Sequence, residues 1–113
     1  MDKINFNNKT FLLVENSENG KVNSETIFKY QQNGNLVTAD YSGGTIKYGK
    51  IIANLVENKL HMLYQCITNN NELKAGKAIA NISINAHDKI KLTLNWEWLN
   101  EPFEKGTSIY IEM

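Results

Sequence analysis

Arginine is absent from the 113-residue chain, which carries 12 lysines against 12 acidic residues and has no net charge at pH 7. Without arginine, the chain lacks the planar guanidinium group that best grips phosphates and carboxylates at two points. A nucleic-acid-binding protein also needs a basic stripe on its surface, and the balanced charge argues against one. The composition therefore predicts no nucleic-acid partner.

Cysteine and proline occur once each, and long apolar runs are missing. The single cysteine, Cys66, excludes an intrachain disulfide, so nothing indicates a disulfide-stapled secreted scaffold. No run approaches the roughly 18 apolar residues of a membrane span, and the polar start Met1-Asp2-Lys3 does not resemble a signal peptide. We expect a soluble, cytoplasmic protein without a membrane partner, folded as a single domain over residues 1–113.

What the chain does contain is a series of strand-like segments separated by turn residues. Asn19-Gly20 and Asn33-Gly34 are strong hairpin signals, and Gly43-Gly44 and Asn69-Asn70-Asn71 mark further breaks. β-branched and aromatic residues dominate between these breaks, and no window has the 3.6-residue period of a helix. We predict eight strands, at 4–14, 25–32, 35–42, 45–56, 59–68, 72–84, 89–99 and 106–113.

The fold class that follows is all-β, an antiparallel up-and-down meander of about eight strands. Short sequential strands without crossover helices are most economically arranged as a small closed or nearly closed barrel, similar in outline to streptavidin-like and lipocalin-like barrels. An open, twisted sheet of hairpins is the alternative.

Alternation along the last two strands predicts which side chains face the core. In 89–99 the alternating residues Ile90, Leu92, Leu94, Trp96 and Trp98 share one face. In the final strand the same pattern assigns the apolar face to Ile109, Ile111 and Met113. Glu97 and Glu112 are then expected on the solvated faces of their strands.

Residues 46–55 and 73–82 resemble each other, with Lys, Gly, Lys, Ile, Ala and Asn recurring at a constant offset. This spacing suggests a repeated hairpin unit. The apolar parity changes at Gly49 in the first copy, which is how a β-bulge appears in a sequence. We therefore predict kinks at Gly49 and Gly76 that help to curl the sheet.

Motifs that carry catalytic or metal chemistry are weak. Gly44 to Lys50 has most of the phosphate-loop spacing, but Ile51 stands where a hydroxyl must hold magnesium and no helix follows, so we interpret it as a turn and a bulge. His61, His87 and Cys66 are not spaced as metal ligands, and His61 and Cys66 have opposite strand parity. The sequence predicts no metal site, no cofactor and no catalytic residue.

Two tryptophans on one face are the best candidates for a ligand site. Trp96 and Trp98 would project about 7 Å apart from the same strand. Aromatic faces there could line a pocket for an apolar or planar molecule, or they could simply fill the core. The candidate ligand-binding residues are Trp96, Trp98, Tyr64, Tyr41 and His61.

One set of residues, spread over nearly the whole chain, carries a resemblance to a known family. The set is 7–11, 16–20, 25–28, Tyr30, 41–44, Ile46, Gly49, Tyr64, Glu72, Leu73, Gly76, Trp96, Trp98, Lys105, Gly106 and Ser108. Through these residues the chain resembles a family of small bacterial proteins of about this length that are commonly labelled N-acetylglutamate synthase, and the resemblance implies acetyl transfer. Relatives usually have Tyr-His-Gln where this chain has Tyr64-Gln65-Cys66, and Glu where it has Leu94.

Three functions remain open from the sequence. The first is a non-catalytic barrel that binds a small molecule near an open end, by analogy with the fold. The second is a small enzyme, for which the inward-facing titratable group would be His61, Glu97 or Tyr64, although the chain has no glycine-rich turn before a helix to hold coenzyme A. The third is an interaction module that pairs through a strand edge, and a homodimer is compatible with it.

Overall fold

The computed structural model of this protein describes residues 4–16 and 25–113, and eight strands account for most of them. Within these two ranges, no helix is long and apolar enough to cross a membrane. The strands are β1 (Lys9–Asn16), β2 (Ile27–Asn33), β3 (Leu36–Gly43), β4 (Ile46–Val56), β5 (Lys59–Thr68), β6 (Leu73–Ile84), β7 (Ile90–Trp98) and β8 (Lys105–Glu112).

The eight strands form a closed antiparallel barrel in sequence order, which confirms the predicted fold class. Closure is made by β1 and β8, where Phe11 lies opposite Glu112 and Leu12 opposite Ile111. Each strand in the described chain therefore has two hydrogen-bonded neighbours. Closure removes the edges of a sheet. The eight described strands therefore offer no free edge for the strand-edge pairing considered above as a third function.

The strand boundaries follow the turn residues closely, with one exception. All strands but the first begin and end within two residues of the predicted positions. The β2–β3 turn lies at Gly34 and Asn35, and Gly34 supplies the positive φ of 62° that such a turn requires. The turn predicted at Asn19-Gly20 lies outside the described residues.

The first strand begins five residues later than predicted, because the chain before it folds back over one end of the barrel. Asn7 and Asn8 form a turn, in which Asn8 has a φ of 61°. The Phe6 N–H donates to Gln32 Oε1 at 2.8 Å, and the Lys9 N–H donates to the Phe6 carbonyl at 3.1 Å. We call this end, which also carries the β2–β3, β4–β5 and β6–β7 turns, the closed end.

Phe6 fills the closed end by packing against two rings from the barrel wall. Its ring centroid lies 5.9 Å from that of Phe11 and 5.5 Å from that of Tyr30, and Phe6 and Phe11 are both fully buried. The opposite end, where the β3–β4, β5–β6 and β7–β8 connections lie, is called the open end.

The inner face of β7 is as predicted, but that of β8 is not. Ile90, Leu92, Leu94, Trp96 and Trp98 are all buried. In β8, however, Ser108, Tyr110 and Glu112 point inward, while Ile109 and Ile111 are half-buried on the outer face and Met113 is exposed. The predicted apolar inner face of β8 and the predicted solvated position of Glu112 are therefore wrong.

The buried carboxylate of Glu112 is bound by polar groups from two neighbouring strands. The Ile90 N–H of β7 donates to Oε1 at 3.0 Å, and Lys9 Nζ of β1 lies 3.0 Å from Oε2. Burial alone would raise the pKa of this carboxyl, but the hydrogen bonds from Ile90 and Lys9 outweigh it and hold the pKa below its usual value. The carboxylate thus joins β7, β8 and β1 at the seam of the barrel.

Truncating the Phe6 side chain should destabilise the barrel strongly, because a fully buried ring leaves a cavity. We expect Phe6→Ala to lower the free energy of unfolding by about 3–5 kcal/mol in urea denaturation. Phe103→Ala is the matched control, since Phe103 is 53% exposed in the β7–β8 loop, and it should change stability by less than about 0.5 kcal/mol. Equal effects of the two substitutions would show that Phe6 does not close the barrel.

Because of Glu112, the free energy of unfolding should depend on pH in the acidic range. Since its pKa is lowered in the folded state, its contribution is present above the unfolded pKa of about 4.3 and is lost as the pH falls through the folded pKa. Glu112→Gln should lower the free energy of unfolding by about 1–3 kcal/mol at pH 7. Denaturation from pH 7 to pH 2.5 should find this difference shrinking below pH 4, whereas the exposed Glu104→Gln should leave the whole profile unchanged.

Candidate functional site

A small cavity lies inside the barrel toward the open end. Its volume is about 50 Å³. It accommodates a compact chemical group rather than a whole drug-sized molecule, for which pockets of about 300–1,000 Å³ are usual. The lining side chains are Asn16, Phe28, Tyr41, Ile46, Ile51, Met62, Tyr64, Cys66, Leu94, Trp96, Trp98, Ser108 and Tyr110.

Four of the five candidate residues meet at this cavity. Tyr41, Tyr64, Trp96 and Trp98 all line it, and the two indole rings lie 6.1 Å apart between centroids at an interplanar angle of 60°. His61 is exposed on the outer face of β5 and borders a surface groove whose lining includes Lys77, Glu97 and Trp96. His61 therefore does not line the barrel cavity, and Trp96 is the one candidate residue that shares its groove.

Two glycines position the two tyrosine rings. Gly49 lies opposite Tyr41 on the neighbouring strand, and a Cβ built on Gly49 would lie 2.1 Å from Tyr41 Cζ. Gly76 lies opposite Tyr64, and its Cβ would lie 2.5 Å from Tyr64 Cζ. Each tyrosine ring therefore lies across a strand at a point where only glycine leaves room.

This arrangement explains the repeat and corrects the predicted kinks. In β4 the register shift falls between Ile46 and Tyr48, so the bulge precedes Gly49, and Tyr48 points outward. In β6 the pairing with both neighbours runs through Gly76 without any shift. The glycine that recurs in the repeat therefore lies beneath a tyrosine ring of the adjacent strand and does not form a bulge. The segment from Gly44 to Lys50 forms a turn and a bulge, as the sequence predicted.

Each of these two tyrosine side chains reaches across the neighbouring strand and contacts the strand beyond it. Tyr41 crosses β4 and donates its hydroxyl to the Gln65 carbonyl of β5 at 3.3 Å. Tyr64 crosses β6 and meets the Trp98 ring of β7 edge to face, with 5.7 Å between centroids. Phe28 stacks on Tyr41 at 4.7 Å from the other side. The open-end interior is thus made chiefly of aromatic rings.

The two indole N–H groups differ in their hydrogen bonding. Trp96 Nε1 donates to Ser108 Oγ at 2.8 Å, and Ser108 in turn donates to Asn16 Oδ1. Trp98 Nε1 is buried and has no hydrogen-bond partner among the residues that the structure describes. Buried indole N–H groups usually find an acceptor, so the unpartnered group on the wall of the cavity requires an explanation.

The titratable groups that line the cavity are neutral at neutral pH. Burial raises the pKa of the Tyr41, Tyr64 and Tyr110 hydroxyls above the usual value, and it also raises the pKa of the Cys66 thiol. No carboxylate is among the lining side chains given above. Within residues 4–16 and 25–113, no three His, Cys, Asp or Glu side chains gather to hold a metal ion.

Among the cavity-lining residues that are not candidates from the sequence, Asn16, Ser108 and Tyr110 carry a side-chain oxygen. The prediction that Ile109 and Ile111 face inward puts Ser108 and Tyr110 on the outer face of β8, because the two isoleucines are the more apolar set. The available signal was the inward parity of Trp96, whose indole needs an acceptor from the strand beside it. Gly106 lies directly opposite Trp96 and has the same parity as Ser108, so it belongs to the inner face of β8.

An eight-stranded, closed, up-and-down barrel with an aromatic cavity at one end defines the class of this protein. The sequence profile of the avidin-like protein family matches residues 4–113, so the chain belongs to the avidin-like family. No curated protein and no solved structure matches the chain. The N-acetylglutamate synthase activity implied by the sequence resemblance finds no support in these comparisons.

The effect of replacing Gly76 on the free energy of unfolding should depend on whether the Tyr64 ring is present. Gly76→Ala should lower the free energy of unfolding by about 1–3 kcal/mol, because the new methyl group must displace Tyr64. In a Tyr64→Ala background the same substitution should be neutral or stabilising, since alanine suits a strand better than glycine. Urea denaturation of the four proteins measures this cycle, and equal effects of Gly76→Ala in both backgrounds would contradict the role given to the ring.

Proposed function

We propose that this protein binds a small molecule, without transforming it, in the cavity at the open end of the barrel. The observation that carries the proposal is the buried Trp98 Nε1, a hydrogen-bond donor without an acceptor on the wall of that cavity. A ligand that supplies an acceptor atom would satisfy a group that the protein itself leaves unpaired.

The surroundings of Trp98 support an apolar or planar ligand body. Trp96, Tyr64 and Tyr41 offer ring faces and edges, which bind flat and apolar groups well. Because Phe6 fills the closed end, a ligand would enter the barrel through the open end. Membership of the avidin-like family, which typically binds small ligands such as biotin, agrees with this function.

A non-catalytic role is favoured over an enzymatic one by the chemistry of the lining. A general base must be deprotonated at the working pH, and burial keeps the cavity tyrosines and Cys66 protonated. Of the groups considered for an enzyme, Glu97 and His61 border the outer groove, and Tyr64 alone faces the cavity. A homodimer, which suits a family that often forms oligomers, stays a prediction.

The proposal is tested with a library of neutral and anionic fragments of up to eight non-hydrogen atoms. Ligands that enter the cavity should change the tryptophan fluorescence and raise the melting temperature, because binding to the folded state alone stabilises it. Trp98→Phe keeps an aromatic ring but removes the donor, so it should weaken binding by about 3- to 10-fold, equivalent to one hydrogen bond.

Tyr48→Phe is the matched control, because Tyr48 is exposed on the outer face of β4. It should leave both readouts unchanged. If no compound shifts the melting temperature, or if the compounds that do so bind Trp98→Phe as tightly as the unmodified protein, the proposed use of this cavity is wrong.

A further inference from the structure

A lysine side chain lies against the ring that carries the unpartnered donor. Lys74, on β6, is half-buried, and its Nζ lies 5.6 Å from the centroid of the Trp98 ring, in a cation–π contact. Its Cα partner on β5 is Cys66, which lines the cavity. Lys74 therefore brings a positive charge to the edge of the cavity.

Within residues 4–16 and 25–113, no carboxylate forms a salt bridge with the Lys74 ammonium. Ion pairs lie elsewhere in these ranges, as between Lys9 and Glu112 at the closed end and between Lys50 and Asp40 on the outer surface. Among the described acidic residues of the loops at the open end, Glu25, Glu72, Glu101 and Glu104 are all exposed to solvent. An anion that enters the cavity would thus meet a lysine ammonium that holds no ion pair with a described residue.

The two groups beside the cavity have the same hydrogen-bonding character. A lysine ammonium has three donors and no acceptor, and an indole has one donor and no acceptor. Their complement is a group that only accepts and carries negative charge, as a carboxylate does. A cavity of about 50 Å³ also suits a group of that size better than a bulky ring system.

We infer that the ligand is a small organic carboxylate, whose carboxylate is held by Lys74 and Trp98 and whose apolar part packs against the aromatic rings. This inference rests on the proposed function, since it names the class of molecule for the same cavity. A carboxylate is costly to bury without a charged partner, and hydrogen bonds to a charged group are about twice as strong as neutral ones. The site should therefore prefer the acid anion to a neutral molecule of the same shape.

Matched probes of equal size separate charge from shape. Butyrate, butyramide and butylamine differ in the head group and share the same propyl chain. By titration calorimetry at pH 7 and low ionic strength, butyrate should bind about tenfold more tightly than butyramide, given the stronger charge-assisted contacts. Butylamine should not bind, because its ammonium would face Lys74 and has no acceptor for Trp98.

Lys74→Met tests the partner directly, because methionine keeps an apolar chain over the Trp98 ring and removes the charge. It should weaken butyrate binding by about tenfold and leave butyramide binding unchanged. Lys77→Met is the control, since Lys77 lies three residues along the same strand on the outer face and is exposed. It should alter neither affinity.

Each outcome decides one of the two proposals. If butyramide binds as tightly as butyrate, or if Lys74→Met does not weaken butyrate, the carboxylate inference is wrong. Binding of butyramide or the neutral fragments that remains sensitive to Trp98→Phe would then leave the proposed function standing. If no probe of any charge binds, both proposals are overturned.

Discussion

Closure of eight strands into one barrel fixes how much room the inward-facing side chains have. A barrel of this strand number is just wide enough to be filled by side chains or to hold one small ligand. In this chain the two halves of the interior use that room differently. At the closed end Phe6, Phe11 and Tyr30 fill it completely, with Phe6 supplied from outside the strands. At the open end the rings leave a space of about 50 Å³.

The shape of that remaining space depends on pairs of a tyrosine and a glycine on adjacent strands. Because Gly49 and Gly76 carry no Cβ, the rings of Tyr41 and Tyr64 lie flat across the barrel wall instead of standing into its centre. Flat rings line a cavity without filling it. The same glycines would weaken their strands if they were left uncovered, so the rings protect the sheet and shape the site together.

The strands and most of the site are predictable because alternation and turn residues are local signals. Trp96 and Trp98 could be placed inside from their parity with Leu92 and Leu94. The face of β8 could not be, since both of its faces carry large apolar side chains and the choice depends on neighbours distant in sequence. Ser108 is drawn inward by the Trp96 indole, and Glu112 by the Ile90 amide and Lys9. His61 shares the outward parity of Leu63, so it faces away from the cavity that the other four candidate residues line.

The contrast between the two indoles is the main support for the proposed binding site at the open end. Trp96 and Trp98 lie on one strand and one face, and both are buried to the same extent, 7% exposed. The chain gives Trp96 an acceptor, Ser108, and orients that serine with Asn16. A buried donor without a partner costs about 1–3 kcal/mol, and phenylalanine would fill much of the same space without this cost. An indole kept at position 98 beside a half-buried lysine is therefore best explained by an acceptor that arrives with a ligand.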